Sequence, residues 1–365
     1  MKASLLSLPS ARIAAIGTAL PNHDIHHAFV DWAQARITDP KAAKLFGRMA
    51  ARSGITRRWS VLPRGANGGS PVSDGGFYAD PLLPPTSARM ALYAQHAPDL
   101  AMAAIADLES KTSLSGITHI VVASCTGFVA PGIDQIIATR MGLSGSVERL
   151  LVGFMGCYAA ISALRSAYHI ARSEPGARVL VVTVELSTLH LQPAHEIEPL
   201  LAMLQFGDGA AAALITADMP GLEITRLFAH ALPDSAELIR WDIGDQGFAM
   251  HLSGEVPGRI SLALKQDAVL SALTGGGQVD DVDGWAVHAG GRSILDSVEV
   301  ALGLDRDALT DSRAVLETSG NMSSSTLMFA LQRVLPKRPA NGVALAFGPG
   351  LAAEGFGFRW ADGNA

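Results

Sequence analysis

The chain contains one sequence pattern twice. In each copy a short motif ends an apolar, strand-like run and begins a helix-like one: Gly-Phe-Met-Gly-Cys at 153–157, and Ser-Gly-Asn-Met-Ser-Ser-Ser at 319–325. The next strand-like run is reached 22 positions after Cys157 in the first copy and 22 positions after Asn321 in the second. A repeated spacing of this kind predicts a repeated structure. The chain is therefore expected to contain one fold twice, with a thiol and an amide at equivalent helix starts.

A second pair of positions is related in the same way. Cys125 and His288 each end a strand-like run and lead through glycine into a helix-like segment. The offset from Cys125 to His288 is 163 residues, and that from Cys157 to Asn321 is 164. Because equivalent strand ends of two pseudo-symmetric halves converge near one axis, we expect these side chains to lie close together.

The two copies differ by an insertion. Phe-Gly-Asp-Gly at 206–209 and Phe-Gly-Pro-Gly at 347–350 correspond, but their offset is only 141, so the first copy has about 23 extra residues at roughly 186–205. Insertions between core elements form surface loops and sites. This segment is a candidate for substrate-specific structure.

Strand-like and helix-like segments alternate along the chain, which is typical of layered α/β folds. The strand-like runs are 119–124, 178–184, 209–216, 285–288 and 342–347, and the helix-like segments are 132–141, 158–172, 292–302 and 322–335. The halves are predicted to meet near 216–221, which gives domains at 1–217 and 218–365. Residues 60–85, rich in Gly, Pro and Ser, are predicted to form a long surface loop.

Composition excludes several classes of function. Charged residues make up 17% of the chain and the net charge is -6, so nucleic-acid binding is not expected. Two cysteines in 365 residues indicate a reduced, cytoplasmic setting, and no apolar run reaches the length of about 18 residues that a membrane span needs. No closely spaced ligand motif is present, and neither a metal nor a cofactor is expected.

Cys157, His288 and Asn321 are the candidate catalytic residues. The first turn of a helix favours a thiolate, which is the nucleophilic form of cysteine. Taken singly, a cysteine is often a small core residue and an asparagine a helix cap; the duplication favours a joint role. The order Cys, His, Asn also occurs in papain-like proteases, but the flanking cysteine motif and disulfide-rich setting of those enzymes are missing.

Five motifs together resemble the type III polyketide synthases, the chalcone synthase-like family of the thiolase superfamily. They are the sequences at 153–157, 206–209, 288–291, 320–324 and 347–350, and the match runs from about residue 12 to 360. The resemblance implies a thiolase-like fold with two βαβαβ halves in a layered αβαβα arrangement. It also implies a homodimer that uses acyl-CoA starters and malonyl-CoA.

The same resemblance implies roles for individual residues. Cys157 would carry the growing acyl chain, and His288 would help to generate its thiolate. His288 and Asn321 would stabilise the enolate formed when malonyl-CoA loses carbon dioxide. Phe206 would be an aromatic gate between the CoA tunnel and the cavity, and two basic residues would lie at the CoA entrance, Arg48 and Arg52.

Six positions are predicted to line the cavity, namely Cys125, Ala130, His190, Trp241, Met250 and Ser323. The first five depart from the plant pattern. Trp241 replaces a glycine and Met250 a second gate phenylalanine, while Cys125 and Ala130 are expected to leave room on the cavity floor. These features resemble bacterial members that extend fatty acyl starters to alkylpyrones or alkylresorcinols.

Three alternatives to the fatty-starter polyketide synthase remain open at this point. They are a synthase that joins malonyl units alone, a β-ketoacyl-acyl-carrier-protein synthase III that condenses once, and a non-catalytic acyl-CoA-binding or scaffold protein.

Overall fold

A computed structural model describes residues 10–174 and 176–363. Its strands are β1 (Arg12–Ala19), β2 (His23–Asp24), β3 (Trp59–Ser60), β4 (His119–Ser124), β5 (Glu148–Gly153), β6 (Val179–Leu186), β7 (Asp208–Thr216), β8 (Gly221–Ala231), β9 (Ile239–Gly244), β10 (Gly247–Leu252), β11 (Gly284–Val287), β12 (Gly342–Gly348) and β13 (Ala352–Ala361).

The helices are α1 (His26–Arg36), α2 (Pro40–Ala51), α3 (Thr86–Glu109), α4 (Ile133–Arg140), α5 (Ala159–Ser173), α6 (Ile197–Met203), α7 (Val256–Leu264), α8 (Asp267–Thr274), α9 (Arg292–Leu302), α10 (Thr310–Ser319) and α11 (Ser324–Val334). Within the described residues no helix has the length and apolar character needed to cross a membrane.

The sheet shows the duplication directly. Its strand order is β11-β12-β13-β8-β1-β7-β6-β4-β5. When the edge strand β5 is left out, β11-β12-β13-β8 and β4-β6-β7-β1 have the same pattern from the edge inward, with one parallel pair followed by two antiparallel pairs. The two sets meet at β1 and β8 through only two residue pairs. The predicted repeat of one α/β unit is confirmed.

Helices α5 and α11 form the layer between the two sets of strands. Their apolar residues belong to one buried cluster together with residues from the strands of both halves. The outer face of the first half is covered by α3 and α4, and that of the second half by α7, α8, α9 and α10. Strands covered on both faces are mostly apolar, as in β6 with the sequence Val-Leu-Val-Val-Thr-Val-Glu-Leu. The layered arrangement follows from this double burial.

The insertion in the first half lies between β6 and β7. It forms a short 3-10 turn at Ser187–His190 and then α6, whereas the second half joins β12 to β13 through only Pro349–Leu351. The side chain of Arg89 on α3 is fully buried and donates hydrogen bonds to the carbonyl oxygens of Leu189 (2.9 Å) and Leu191 (2.8 Å). The insertion is therefore fixed to the core by its backbone.

The segment at 60–85 differs from its prediction as a surface loop. Much of it is exposed, but the side chains of Leu62, Tyr78 and Leu83 are buried. The Tyr78 hydroxyl donates a hydrogen bond to the carbonyl oxygen of Thr188 at 2.9 Å. Composition predicted the irregular backbone correctly, but three large side chains attach the segment to the insertion.

Candidate active site

Cys157 lies in the sharp turn between β5 and α5. Gly156, immediately before it, has φ of +79°, a conformation that favours glycine. A Cβ at Gly156 would also lie 2.2 Å from the ring of Pro349, too close for any other residue. The predicted glycine-dependent turn is thus present, and a residue of the second half closes over it.

Burial dominates the chemistry of the Cys157 thiol. The side chain is 8% exposed, and burial raises the pKa of the thiol to about 12, against the opposing effect of hydrogen bonds with Ser323 and Asn321. The expectation that the helix start alone would favour the thiolate is therefore wrong, because desolvation disfavours the charged form more strongly. A base must remove the proton if Cys157 is to act as a nucleophile.

Hydrogen bonds of both its side chain and its backbone fix Asn321. Its Nδ2 donates a hydrogen bond to the carbonyl oxygen of Gly290 at 3.2 Å, and its Oδ1 accepts one from the backbone N–H of Ser323 at 2.8 Å. Its backbone N–H donates to Gln205 (2.7 Å), and its carbonyl accepts from Gly207 (3.0 Å). Asn321 is not the N-cap of α11, which is Ser323. It joins the nucleophile turn to the segment that follows His288.

His288 follows β11 and is 1% exposed. Neither ring nitrogen has a hydrogen-bond partner within the described structure, and burial lowers the pKa of the imidazole to about 3. Buried polar groups are nearly always hydrogen-bonded, so an imidazole with two unpaired nitrogens needs an explanation. A site in which the substrate supplies the partners provides one.

Two cavities meet beside Cys157, and neither His288 nor Asn321 borders them. The smaller one is bordered by Cys157, Cys125, Thr126, Gly156, Ser323 and Pro349. The larger one extends away from it toward α1 and the 60–85 segment. Both are bordered by the same four side chains, Ser187, Phe206, Trp241 and Met250. The rings of Phe206 and Trp241 are 6.3 Å apart. We call these four residues the neck.

Cys125 supports the nucleophile turn. Its Sγ accepts a hydrogen bond from the Gly156 N–H at 2.9 Å and donates one to the Gly156 carbonyl at 3.3 Å. Burial raises the pKa of its thiol well above the ordinary value. Cys125 therefore lines the small cavity as predicted, but its sulfur is already hydrogen-bonded to the backbone of Gly156.

The sequence reasoning missed Glu185, the carboxylate behind Cys125. Its oxygens accept hydrogen bonds from the Cys125 N–H and the Thr126 hydroxyl, both at 2.9 Å, and from the Ser324 hydroxyl. Burial raises its pKa to about 7. A single acidic residue in the otherwise apolar strand β6 was the available signal.

His190 is part of the cavity wall. Its Nδ1 accepts a hydrogen bond from the Phe248 N–H at 3.0 Å, so its Nε2 donates to the carbonyl oxygen of Thr126 at 2.7 Å. The ring stacks on Phe248 at 4.2 Å, and burial lowers the pKa of His190 to about 3. Trp241 completes this wall through a hydrogen bond to the Cys125 carbonyl at 3.1 Å. The imidazole is therefore neutral, with both nitrogens already bonded.

Three predicted residues lie at the surface. Ala130 is exposed and lines neither of the two cavities. Arg48 and Arg52 are exposed on and just after α2, and in the described part of the chain no carboxylate pairs with either. Their guanidinium groups are thus available to an anionic ligand.

The sequence matches known families along most of its length. The model described as "Chalcone and stilbene synthases, N-terminal domain" matches residues 2–219, and that of the C-terminal domain matches residues 223–360. "Alpha-pyrone synthesis polyketide synthase-like Pks18" of Mycobacterium tuberculosis is 35% identical over 289 residues, covering 74% of this chain and 72% of the relative. "Bisdemethoxycurcumin synthase" of Oryza sativa subsp. japonica is 32% identical over 372 residues, covering 94% and 91%.

Solved structures agree with these relatives. The C-terminal type III polyketide synthase domain of Steely1 from Dictyostelium superposes with a TM-score of 0.86 at 25% identity, over 96% of this chain and 99% of that one. PKS-I from the brown alga Ectocarpus siliculosus gives 0.85 at 28% identity, over 98% and 100%. The predicted thiolase-like fold is confirmed by this likeness.

Proposed function

The chain belongs to the chalcone and stilbene synthase family and is a type III polyketide synthase, and from this premise we propose which residues carry the reaction. Cys157 takes an acyl group from an acyl-CoA starter, malonyl-CoA extends it by decarboxylative Claisen condensation, and the product closes to a ring of the alkylpyrone or alkylresorcinol type. One observation carries the assignment: the imidazole of His288 is buried with both nitrogens unpaired, and the Asn321 amide is bonded to the carbonyl oxygen of Gly290, two residues after it.

In the loading step the neutral His288 accepts the thiol proton of Cys157. The thiolate attacks the thioester carbonyl, a new C–S bond to the enzyme forms, and the bond to the CoA sulfur breaks. The imidazolium returns its proton to the departing CoA thiolate. The high pKa of Cys157 and the low pKa of His288 mean that both groups are neutral before substrate arrives.

In the extension step malonyl-CoA loses carbon dioxide, and the electron pair of the broken C–C bond becomes an enolate. The N–H of His288 and Nδ2 of Asn321 donate hydrogen bonds to the enolate oxygen. The enolate carbon then attacks the acyl thioester on Cys157, which forms the new C–C bond and releases the thiolate. An amide and an imidazole suit this position because a carboxylate would repel the developing negative charge.

The surface residues support the remaining parts of the proposal. The unpaired guanidinium groups of Arg48 and Arg52 suit the phosphates of CoA. A homodimer is proposed through β5, an edge strand whose Leu150 and Leu151 are 43% and 44% exposed. The dimer would also cover Ala130. A cytoplasmic location and membership of the bacterial type stay predictions.

The test is incubation with an acyl-CoA and labelled malonyl-CoA, followed by mass spectrometry and measurement of carbon dioxide release. Several extensions support the proposal, a single extension indicates a synthase III activity, and no release of carbon dioxide indicates a binding protein.

Cys157→Ala should abolish the acyl-enzyme adduct while slow decarboxylation persists, because His288 and Asn321 remain. Cys125→Ala is the matched control and should still form the adduct on Cys157. Asn321→Ala should reduce carbon dioxide release by about 10²-fold or more, as loss of an oxyanion-hole donor does. Adduct formation by Cys157→Ala at the wild-type level would disprove the nucleophile assignment.

A further inference from the structure

We propose that the side-chain amide of Gln205 binds the pantetheine arm of the CoA substrates, at the amide group nearest the thioester. This inference rests on the proposed function, since it assumes that the substrates arrive as CoA thioesters at Cys157. In CoA an ethylene spacer separates the sulfur from this amide, so a thioester at the thiol brings the amide close to the nucleophile turn. Gln205 is then a binding residue that distinguishes thioesters with this amide from thioesters without it.

The backbone fixes Gln205 beside the proposed catalytic residues. Its carbonyl oxygen accepts a hydrogen bond from the N–H of Asn321 at 2.7 Å, and the next residue, Phe206, forms a parallel bridge with Asn321. Phe206 belongs to the neck and borders the same cavity as Cys157, whereas Gln205 borders neither cavity. A side chain in this position meets the part of the substrate that stays outside the cavities, which is the CoA side of the thioester.

The side chain of Gln205 lies against the segment that follows His288. A Cβ atom at Gly291 would lie 2.5 Å from Oε1 and 3.2 Å from Nε2 of Gln205, so the amide packs directly on the backbone there. The next residue, Arg292, donates a hydrogen bond from Nη1 to the carbonyl oxygen of Arg52 at 3.2 Å. Gln205 is thus placed between the neck and the arginine proposed to bind the phosphates of CoA. The pantetheine arm joins those phosphates to the thioester and has to pass this place.

The Gln205 amide lacks a protein partner at its buried end. Its Oε1 is buried without a hydrogen bond within the described residues, although the residue as a whole is partly exposed. Gln192 in the same insertion shows the ordinary arrangement, since its Nε2 donates to the carbonyl oxygens of His190 (3.1 Å) and Gln246 (3.0 Å). Buried polar groups are nearly always paired, and a secondary amide offers both the donor and the acceptor that a glutamine can match. A ligand that carries an amide completes the hydrogen bonding of Gln205.

The unpaired groups have the same order as the parts of the substrate. A Cβ atom at Gly290 would lie 3.5 Å from Nε2 of His288, so the unpaired imidazole is next to one glycine and the unpaired amide of Gln205 is next to the following one. Arg292 and its contact with Arg52 come next. Imidazole, amide and guanidinium therefore follow one another along this segment as thioester, pantetheine amide and phosphate do along an acyl-CoA.

The experiment measures the second-order rate constant of acyl transfer to Cys157 by mass spectrometry of the protein, with three hexanoyl thioesters. They are hexanoyl-CoA, the N-acetylcysteamine thioester, which keeps only the amide nearest the sulfur, and the pentyl thioester, which has the same length and no amide. Gln205→Met removes the amide at similar side-chain length. It should lower the rate constants of the first two by roughly 3- to 10-fold, the size of one net hydrogen bond, and leave that of the pentyl thioester unchanged. The ratio of the N-acetylcysteamine to the pentyl rate constant is the readout, because a smaller fraction of folded enzyme cancels in it.

Gln266→Met, at an exposed position before α8, is the matched control and should leave all three rate constants unchanged. Gln205→Ala should lower the ratio as Gln205→Met does. An unchanged ratio in both Gln205 variants would overturn the proposal, and so would an equal loss for all three thioesters, which indicates a displaced Phe206. A lower ratio in Ser187→Ala alone would also overturn it, because the Ser187 hydroxyl is another buried group without a partner in the described structure. The absence of any adduct on Cys157 in the wild type, from hexanoyl-CoA and from malonyl-CoA alone, would instead refute the proposed function.

Discussion

At the residue scale, burial opposes charge on both members of the proposed catalytic pair. It raises the pKa of Cys157 and lowers that of His288, so thiol and imidazole are both neutral in the resting protein. Such a thiol is protected from oxidation and alkylation, because the thiolate is the reactive form. The reactivity of the Cys157 thiol then depends on a bound substrate whose carbonyl oxygen meets the unpaired ring nitrogens of His288.

Glu185 gives a pH-dependent prediction. Its carboxyl has a pKa of about 7 in the folded protein, against an ordinary value of 4.5, so between these values the folded state binds more protons than the unfolded state. Its contribution to stability falls as the pH rises through this window and stays low above about 7. In Glu185→Gln this titration is absent, so the variant's stability relative to wild type should improve by on the order of 3 kcal/mol from about pH 5 to about pH 8.

Chemical denaturation of wild type and Glu185→Gln at both pH values measures this difference. Comparison at equal pH cancels the titration of every other group. The absolute stability of Glu185→Gln is not the readout, because glutamine cannot replace every hydrogen bond that the carboxylate accepts. Parallel stability curves for the two proteins would show that Glu185 does not titrate in this range.

At the element scale, the insertion between β6 and β7 depends on buried arginines. Arg89 donates to the carbonyl oxygens of Leu189 and Leu191, and Arg58 donates to that of Phe206. Irregular backbone inside a protein needs such partners, since an unpaired buried carbonyl costs about 1–3 kcal/mol. Two cationic side chains thus take the place of sheet hydrogen bonds where the segment leaves the regular fold.

Arg89→Met should destabilise the protein by about 3 kcal/mol or more, because it leaves the carbonyls of residues 189 and 191 without donors. Urea denaturation measures this loss, and proteolysis should become faster within residues 187–205. Arg178→Met is the control: Arg178 donates to the Ser113 and Ser115 carbonyls (2.7 and 3.0 Å) at the surface, where water can replace it, so its cost should stay within about 0.5 kcal/mol. Equal effects of the two variants would contradict this role of Arg89.

The regular elements were predictable because their signals are local. The helix predicted at 158–172 is Ala159–Ser173, and the strand predicted at 342–347 is Gly342–Gly348. Apolar spacing, glycine turns and the repeat fix such bounds without knowledge of distant residues. Phe206, Trp241 and Met250, predicted as gate and cavity residues, border the same cavity as Cys157.

What the sequence could not show depends on distant partners. The burial of Arg58 and Arg89 could not be predicted, because the carbonyl oxygens that they bind at Phe206 and in the insertion lie about 100 or more residues away. The pKa of Cys157 was misjudged for the same reason, since its burial comes from residues of both halves.

At the scale of the whole molecule, β5 is an unprotected edge. Among the described strands it pairs only with β4, and Leu150 and Leu151 are exposed on its two faces, with the exposed ring of Phe128 nearby. Exposed edges of this kind invite pairing with another chain. A twofold interface through β5 would cover the strand and its apolar side chains together.

Leu151→Glu should therefore produce monomers of 38.1 kDa where the wild type gives twice that mass, because an unpaired charge is costly to bury in an interface. Light scattering at micromolar concentration measures the mass. Val300→Glu, at an exposed position on α9 remote from β5, is the control and should stay dimeric. A wild-type mass of 38.1 kDa would contradict the dimer itself.

The first strand along the chain, β1, and the last, β13, lie on either side of β8 in the sheet. Glu223 of β8 is the register partner of Arg12 in β1, and its carboxylate also binds Arg359 of β13 at 2.9 Å. Because only β8 separates β1 from β13, the start of β1 and the end of β13 are roughly 10 Å apart, a distance that a short linker can bridge. Opening the turn at 217–220 would then yield a circular permutant in which the half with His288 is synthesised before the half with Cys157. The order of synthesis is thus separable from the geometry of the site, because the catalytic residues meet across the halves and not along the chain.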